Sequence, residues 1–437
     1  MFETWWYTLP IAVQDGLIAV ALFIPIAIIG VTCLWGYRVT PLVIGLLRKH
    51  FFISLTFMLL IACSVAISIG LVAQERGLRE GTARAADKFD LIVAAPGSEI
   101  TAMLAAVYLQ PTALPLINGE IYQKIENHPL VEFAAPLAFG DSWEERRIVG
   151  TTGVFVAHMS TPLAAGSVFS QMNEAVVGAN VPLDVGDKIA PTHGDGAEYE
   201  AHNDHDFTYE ITGKMIRTGS PWDDAILVPI ESVWDIHAMP IGHGPEWDGK
   251  LGGPFDPAHF SGTPAILVRA EALWANYSLQ SEFNTAQTMA FFPGNVLAQL
   301  HALIGDIRQV MQVLAITTQI LVAVAVLAGI SMLSRILAKR MALLRALGAP
   351  RRFIFGVTWS FATVLTALGA SAGVIFGVAA TTALSNVLTA QTGILIETGV
   401  RWPEVHLVVA FVSIVTLLSL FPAYLASRRN LLDDLRS

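Results

Sequence analysis

The chain has 437 residues, of which 54% are hydrophobic and only 14% are charged. This composition excludes an ordinary soluble domain and predicts membrane-spanning segments. The net charge of −10 argues against nucleic acid as a partner. The two cysteines, Cys33 and Cys63, both lie in apolar runs, so no disulfide framework is expected.

Two uncharged apolar runs, 16–36 and 51–73, open the chain, and each is long enough to cross a bilayer core of about 30 Å. Residues 1–15 lack the positive region of a signal peptide, and their aromatic side chains are typical of an interfacial anchor. The cations Arg48 and Lys49 between the runs predict a cytoplasmic loop and an outside N-terminus. The alternative is that the first run lies along the interface.

The long middle section, 74–306, predicts an α+β domain, because short β-like segments alternate with helical ones there. Its end carries apolar residues at steps of three and four, which is a coiled-coil seam. The members of this seam are Leu297, Leu300, Ile304, Ile307, Met311 and Leu314. Such a stalk either carries motion across the membrane boundary or only packs on the other stalk of the same chain.

Six cations lie between residues 334 and 353, in the gap between two further apolar runs. Placing them in hydrocarbon would cost about 3 kcal/mol each, so this segment must be a loop in water. Its apolar residues predict a short helix that Gly348 and Pro350 end. In the next run Gly369, Gly373 and Gly377 form a stripe that allows close helix packing.

We therefore predict an α-helical polytopic membrane protein of about five transmembrane helices with a large extracytoplasmic α+β domain. All basic clusters then fall on one side of the membrane. The predicted order is an interfacial segment (1–15), a first span (16–36), a cytoplasmic loop (37–50), a second span (51–73), an extracytoplasmic α+β domain with stalk helices (74–306), a third span (310–333), a cytoplasmic coupling loop (334–353), a fourth span (354–384), an extracytoplasmic loop (385–404), a fifth span (405–426) and a cytoplasmic tail (427–437).

The stretches ALLRALGAPRRFIFGV and PAYLASRRNLLDDLR resemble the FtsX-like permease family of ABC transporters, the group that includes the MacB and LolC/LolE subunits. The resemblance covers nearly all of residues 51–437 and implies a MacB-like periplasmic domain. It also implies that a cytoplasmic ATPase is gripped by Arg345, Ala346, Leu347, Gly348 and Ala349. The chain departs from the family pattern at Arg340, where an acidic residue is common, and at Phe361, near where a Glu is common.

This resemblance implies the permease subunit of an ABC transporter, in which ATP hydrolysis moves the periplasmic domain for export or mechanotransmission. It further implies a homodimer in the bacterial inner membrane, surrounded by lipid and working with an ABC ATPase and a periplasmic or lipoprotein partner. A non-transporting regulator of a cell-envelope enzyme is the alternative. The sequence contains no GxxxxGK[ST], HExxH or GxSxG motif, so we expect no enzyme and no bound cofactor, with ATP held by the partner subunit.

The segment THGDGAEYEAHNDHDF, in the middle section, is rich in imidazole and carboxylate groups. These groups suit zinc or a similar divalent ion. A metal site would draw on His193, His202, His205 and His237. Metal transport or handling is therefore a further alternative function. The spacing matches no fixed signature, however, and a solvated acidic loop is the commoner explanation of such a segment.

Overall fold

The structure is a computed structural model that describes residues 6–193 and 207–428. The chain divides into two compact units. The helical domain comprises the described parts of Met1–Gly77, Gly305–Asn386 and Glu397–Ser437. The sheet domain comprises Leu78–Ile304, with the same restriction, and Val387–Ile396.

The helices are, in chain order, α1 (Ile11–Leu34), α2 (Thr40–Lys49), α3 (Phe51–Ala86), α4 (Glu99–Ala106), α5 (Gly119–Glu126), α6 (Gly153–Met159), α7 (Ile230–Ile236), α8 (Leu273–Phe283), α9 (Pro293–Ile336), α10 (Ala338–Ala346), α11 (Arg351–Thr392), α12 (Trp402–Leu418) and α13 (Leu420–Ser427). A 3-10 helix covers Pro221–Asp224. The strands are β1 (Leu91–Ala94), β2 (Val131–Trp143), β3 (Arg146–Thr151), β4 (Ala165–Gly166), β5 (Glu174–Val177), β6 (Lys188–Ile189), β7 (Thr192–His193), β8 (Tyr209–Lys214), β9 (Ile226–Pro229), β10 (Ala265–Ala270) and β11 (Met289–Phe291).

Five helical segments in the described chain are long and apolar enough to cross a membrane. They are Ile11–Leu34, Phe51–Ala86, Gln309–Ile336, Arg351–Thr392 and Trp402–Ser427. In the core of the helical domain, α3, α9, α11 and α12 bury apolar side chains against one another. The first helix, α1, lies along α12, where the Ser413 hydroxyl donates to the Leu22 carbonyl at 2.8 Å.

The structure differs from the predicted boundaries near the fourth span. The sequence prediction ends that helix at 384, yet α11 continues to Thr392. Residues 385–392 contain no Gly or Pro that would stop a helix, and the first such residue, Gly393, has a φ of 68°. The predicted loop 385–404 is therefore helical in its first part. The fifth span is also divided at Ser419, between α12 and α13.

The predicted seam before the third span packs only in part. Leu297 is buried in the core of the sheet domain and Leu300 packs against that core. Farther along α9, Met311 and Leu314 are 38% and 56% exposed. The first half of the seam therefore packs within the core of the sheet domain.

The eleven strands of the described chain form one mixed sheet in the order β11-β1-β10-β2-β3-β9-β5-β8-β4, with β6 on β8 and β7 on β2. The pairs β3–β9 and β5–β8 are parallel, and the others are antiparallel. The strand β1 reads LIVA and is buried at every position. Its alternate residues enter two different core clusters, Ile92 one and Val93 the other, so both faces of the sheet are covered.

Candidate coupling and transmission sites

The cationic segment between the third and fourth spans contains a short helix, as its sequence predicts. This helix, α10, follows a break at Leu337 and ends where the Gly348 N–H donates to the Arg345 carbonyl at 3.0 Å. The Ala349 N–H donates to the Leu344 carbonyl at 3.0 Å. Gly348 has a φ of 102°, a conformation that favours glycine, so the residue is required for the turn into α11.

One face of α10 is buried and its tip is exposed. Ala338 and Ala342 are buried, and Met341 packs on the cluster that contains Leu46, Leu333 and Phe361.

At the tip, by contrast, Leu347 is 85% exposed. An exposed leucine flanked by the cations Arg345 and Arg351 is a surface suited to a protein partner that offers an apolar recess with acidic edges. The structure thus brings the predicted residues Arg345–Ala349 together at one turn.

The predicted glycine stripe faces helix α3. A Cβ placed on Gly373 would lie 2.7 Å from both the Ala62 carbonyl oxygen and Val65 Cβ. At Gly369 it would lie 2.8 Å from Ile61 Cβ, and at Gly377 the closest atom would be 3.1 Å away. The stripe therefore permits backbone contact between α11 and α3 that any side chain would obstruct.

The loop after α11 is seated in the core of the sheet domain. Ile394 and Ile396 are 8% and 4% exposed and belong to the core cluster that contains Trp222 and Phe155. Within the loop, the Leu395 N–H donates to the Gly219 carbonyl at 3.1 Å. The chain following α11 is therefore fixed by both apolar burial and backbone hydrogen bonding.

Two glycines allow this loop to pack so closely. Gly393 has a φ of 68°, and a Cβ there would lie 2.9 Å from Pro221 Cα. A Cβ on Gly81 of α3 would lie 2.7 Å from the Leu395 carbonyl oxygen. The loop is thus in backbone contact with both neighbours.

The loop after α11 packs against a rigid turn with the sequence TGSPWDD. The buried Asp223 carboxylate accepts hydrogen bonds from the Thr218 N–H, the Thr218 hydroxyl and the Gly219 N–H, each at 2.7 Å. The Trp222 indole N–H donates to the Val107 carbonyl at 3.2 Å. Charge-assisted hydrogen bonds of this kind hold a turn in one conformation. The amino-acid sequence alone does not mark this turn as a functional element.

The residues predicted to bind metal are only partly described. His193 ends β7, and His202 and His205 lie outside the described residues. His237 follows α7, and its Nε2 lies 3.6 Å from Oδ1 of the buried Asp141. Within residues 6–193 and 207–428, no three His, Cys, Asp or Glu side chains form a metal-binding group.

Asp141 is a residue that the sequence-based prediction missed. It lies within a strand, and the register of β2 against its neighbours shows its surroundings. The nearby Tyr209 hydroxyl lies 2.6 Å from the Ser232 hydroxyl. Burial raises the pKa of Tyr209, and the negative charge of Asp141 raises it further.

Comparison with protein-family models gives a match to part of the chain. Residues 313–431 match the family model described as FtsX-like permease C-terminal. This finding confirms the resemblance inferred from ALLRALGAPRRFIFGV, which lies within the matched range. Together with the five long apolar helices of the described chain, this match indicates a multi-pass membrane protein. No curated protein matches the chain.

Proposed function

We propose that this chain, whose residues 313–431 match an FtsX-like permease domain, is the membrane subunit of an ABC transporter. A separate ATPase subunit hydrolyses ATP and pushes on the turn Arg345–Ala349, and the sheet domain moves in response. The observation that supports this function best is Leu347, an apolar side chain that is 85% exposed at the end of a short cationic helix. An exposed leucine in this setting is explained by a partner surface.

The chemistry of the segment favours a partner surface of a particular kind. Its cations favour an acidic rim on the ATPase, and Leu347 favours an apolar recess at the centre of the contact. Arg340 stands where the family often has an acid, so the charge pattern of the ATPase rim differs correspondingly from that of other members.

Transmission to the sheet domain follows the chain. The helix α11 begins at Arg351, next to the turn Arg345–Ala349, and is continuous to Thr392. The residues directly after it, Ile394 and Ile396, are buried in the sheet-domain core. A displacement of α11 along its axis therefore pulls on that core, and the rigid turn around Asp223 resists local deformation.

The remaining features of the proposal follow from this mechanism. Two copies of the chain serve a dimeric ATPase, in a bacterial inner membrane with the sheet domain in the periplasm. A periplasmic or lipoprotein partner receives the movement, which exports a cargo or does mechanical work. If ATP hydrolysis proves insensitive to every cargo and responds only to a cell-envelope enzyme, the chain is a regulator instead.

A pull-down experiment tests the proposed partner. The full chain, tagged and extracted from its own cells in mild detergent, is expected to co-purify with an ATPase that contains a phosphate-binding loop. L347D should abolish this co-purification, because it places a charge in the centre of the apolar contact. The control is L273D, since Leu273 is 79% exposed in the sheet domain. Recovery of the same ATPase with L347D as with the unchanged chain would contradict the proposal.

A further inference from the structure

The short helix α2, between the first two apolar spans, has one buried face. Val43 and Leu46 of this helix belong to an apolar cluster of the helical domain. The same cluster contains Val357 and Phe361, which lie in the first turns of α11. The buried face of α2 therefore packs against the beginning of α11.

The turn that leads into α2 packs on the same part of α11. The ring of Tyr37 lies edge-on to the ring of Phe353, with 5.9 Å between their centroids. A Cβ placed on Gly356 would lie 3.2 Å from Leu34 Cδ2 and 3.5 Å from the Cys33 carbonyl oxygen. The helix α2 is thus held against α11 by its leading turn as well as by its buried face, and these contacts fix which face points outward.

The outward face of α2 is cationic and has apolar neighbours. Arg48 and Lys49, in the last turn of the helix, are exposed, and Ile44 on the same face is 45% exposed. Aromatic residues stand on both sides of α2 in the chain, where Trp35 is 79% exposed and Phe52 is 82% exposed. Cations flanked by exposed aromatic rings are typical of a helix in the headgroup layer of a bilayer.

The surrounding chain offers few acids to balance these cations. Three long stretches, 16–74, 307–396 and 405–432, contain no Asp or Glu, and they make up most of the helical domain. Exposed cations in such a domain attract negative charge from outside the chain. Lipid phosphates and acidic proteins are the two sources of that charge at a membrane surface.

The surface beside the cations favours a lipid. Phe51 and Phe52 begin α3, so the exposed apolar surface continues directly from Lys49 into the second span. A phospholipid carries its phosphate and its acyl chains in one molecule, and it can therefore occupy both the cationic and the apolar part of this surface. An acidic protein rim would balance the cations but would leave the exposed rings without an apolar partner.

We propose that α2 and the beginning of α3 bind an anionic phospholipid. Arg48 and Lys49 hold its phosphate, while Ile44 and Phe52 contact its acyl chains. Because the other face of α2 packs on α11, an occupied site steadies the beginning of α11. This site goes beyond the coupling function, since the lipid binds whether or not an ATPase is present.

The test uses the full chain in a neutral detergent, with C33S and C63S and an environment-sensitive fluorophore on G45C. No atom of the described chain lies within 4 Å of a Cβ placed on Gly45, so the label fits there. Titration with a short-chain phosphatidylglycerol should give a saturable change in fluorescence. Phosphatidylcholine of the same chain length and inorganic phosphate should each bind at least ~10-fold more weakly, because one lacks net charge and the other lacks acyl chains.

Variants separate the charged contact from the apolar one. R48Q/K49Q should weaken phosphatidylglycerol binding by about 25-fold, because each cation at an anionic surface contributes a factor of about five. F52A should weaken it by at least ~5-fold through lost apolar contact. K339Q/R340Q is the matched control, since it removes one exposed lysine and one exposed arginine from α10. It should bind as the unchanged chain does.

Three outcomes would overturn the site. The first is an equal response to phosphatidylglycerol and to either phosphatidylcholine or inorganic phosphate. The second is an equal loss of affinity in K339Q/R340Q and R48Q/K49Q, which would show general attraction to a cationic domain. The third is unchanged lipid affinity in R48Q/K49Q together with loss of the co-purifying ATPase, which would assign α2 to the protein partner. Failure of lipid binding alone would leave the coupling function unaffected.

Discussion

Arg76 of α3 and Glu404 in the first turn of α12 form a buried ion pair, in which Nη1 donates to Oε1. Arg76 also donates through Nη2 to the Gly399 carbonyl. The other carboxylate oxygen of Glu404 accepts the Arg401 N–H at 2.9 Å and so caps α12. One carboxylate therefore joins the start of α12 to α3, within the helical domain.

Removing one partner of this pair should leave a buried charge without compensation. We expect E404Q and R76M each to lower the free energy of unfolding in detergent by about 3 to 5 kcal/mol. Replacing both residues, as R76M/E404L, should cost less than either single change, because no charge then remains buried.

The exposed pair Lys188–Glu210, 3.4 Å apart, provides the control for this experiment. K188M should change the free energy of unfolding by no more than about 1 kcal/mol, since exposed ion pairs contribute little.

If R76M/E404L is less stable than both of its single variants, Arg76 and Glu404 do not act as one unit.

The glycine stripe predicts a graded effect of added methyl groups. G373A should lower the free energy of unfolding by about 1 to 3 kcal/mol, because its Cβ would lie 2.7 Å from the backbone of α3. G377A should cost less, since the closest atom is 3.1 Å away. G45A is the control: Gly45 is exposed in α2, and alanine there should stabilise by up to about 1 kcal/mol. Equal stability of G373A and G45A would exclude close packing at the stripe.

Much of the helical domain is predictable from sequence for simple physical reasons. Long uncharged runs mark the spans, and six cations cannot be buried in hydrocarbon, so the cationic segment must lie between two spans. Gly348 and Pro350 mark the end of α10, and the spacing of Gly369, Gly373 and Gly377 marks a packed face. Each of these features depends on residues that are near one another in the chain.

The features that the sequence did not reveal depend on distant residues. Ile394 looks like an ordinary loop residue until Trp222 and Pro221 are seen beside that loop. The surroundings of the buried Asp141 depend on the register of β2 against β3 and on the approach of His237 from α7. Tertiary packing decides the register of the strands and the place where a loop packs, and periodicity along the chain does not encode either of them.

The packing of the loop after α11 in the sheet-domain core predicts that ATP hydrolysis can be separated from movement of the sheet domain. I394A and I396A each create a cavity and should destabilise the sheet domain by about 2 to 5 kcal/mol. In the assembled complex, the double variant should retain ATP hydrolysis but lose the ATP-dependent displacement of the sheet domain. The displacement is measured as the distance between spin labels on K188C in the two copies. V400A, at an exposed position beyond the loop, is the control.

An ATP-dependent change in that distance equal to the change in the unchanged complex would exclude this loop as the point of transmission. If the double variant loses both ATP hydrolysis and the movement, Ile394 and Ile396 instead stabilise the complex as a whole. V400A should preserve both hydrolysis and displacement.

The proposed function requires that the turn Arg345–Ala349 and the sheet domain lie on opposite sides of one membrane. Labelling with a membrane-impermeant maleimide tests it most directly, in a chain whose native Cys33 and Cys63 are replaced by serine. In cells with an opened outer membrane, we predict that K188C reacts at once, whereas L347C reacts only after the inner membrane is permeabilised. Equal labelling of the two positions before permeabilisation would contradict the account.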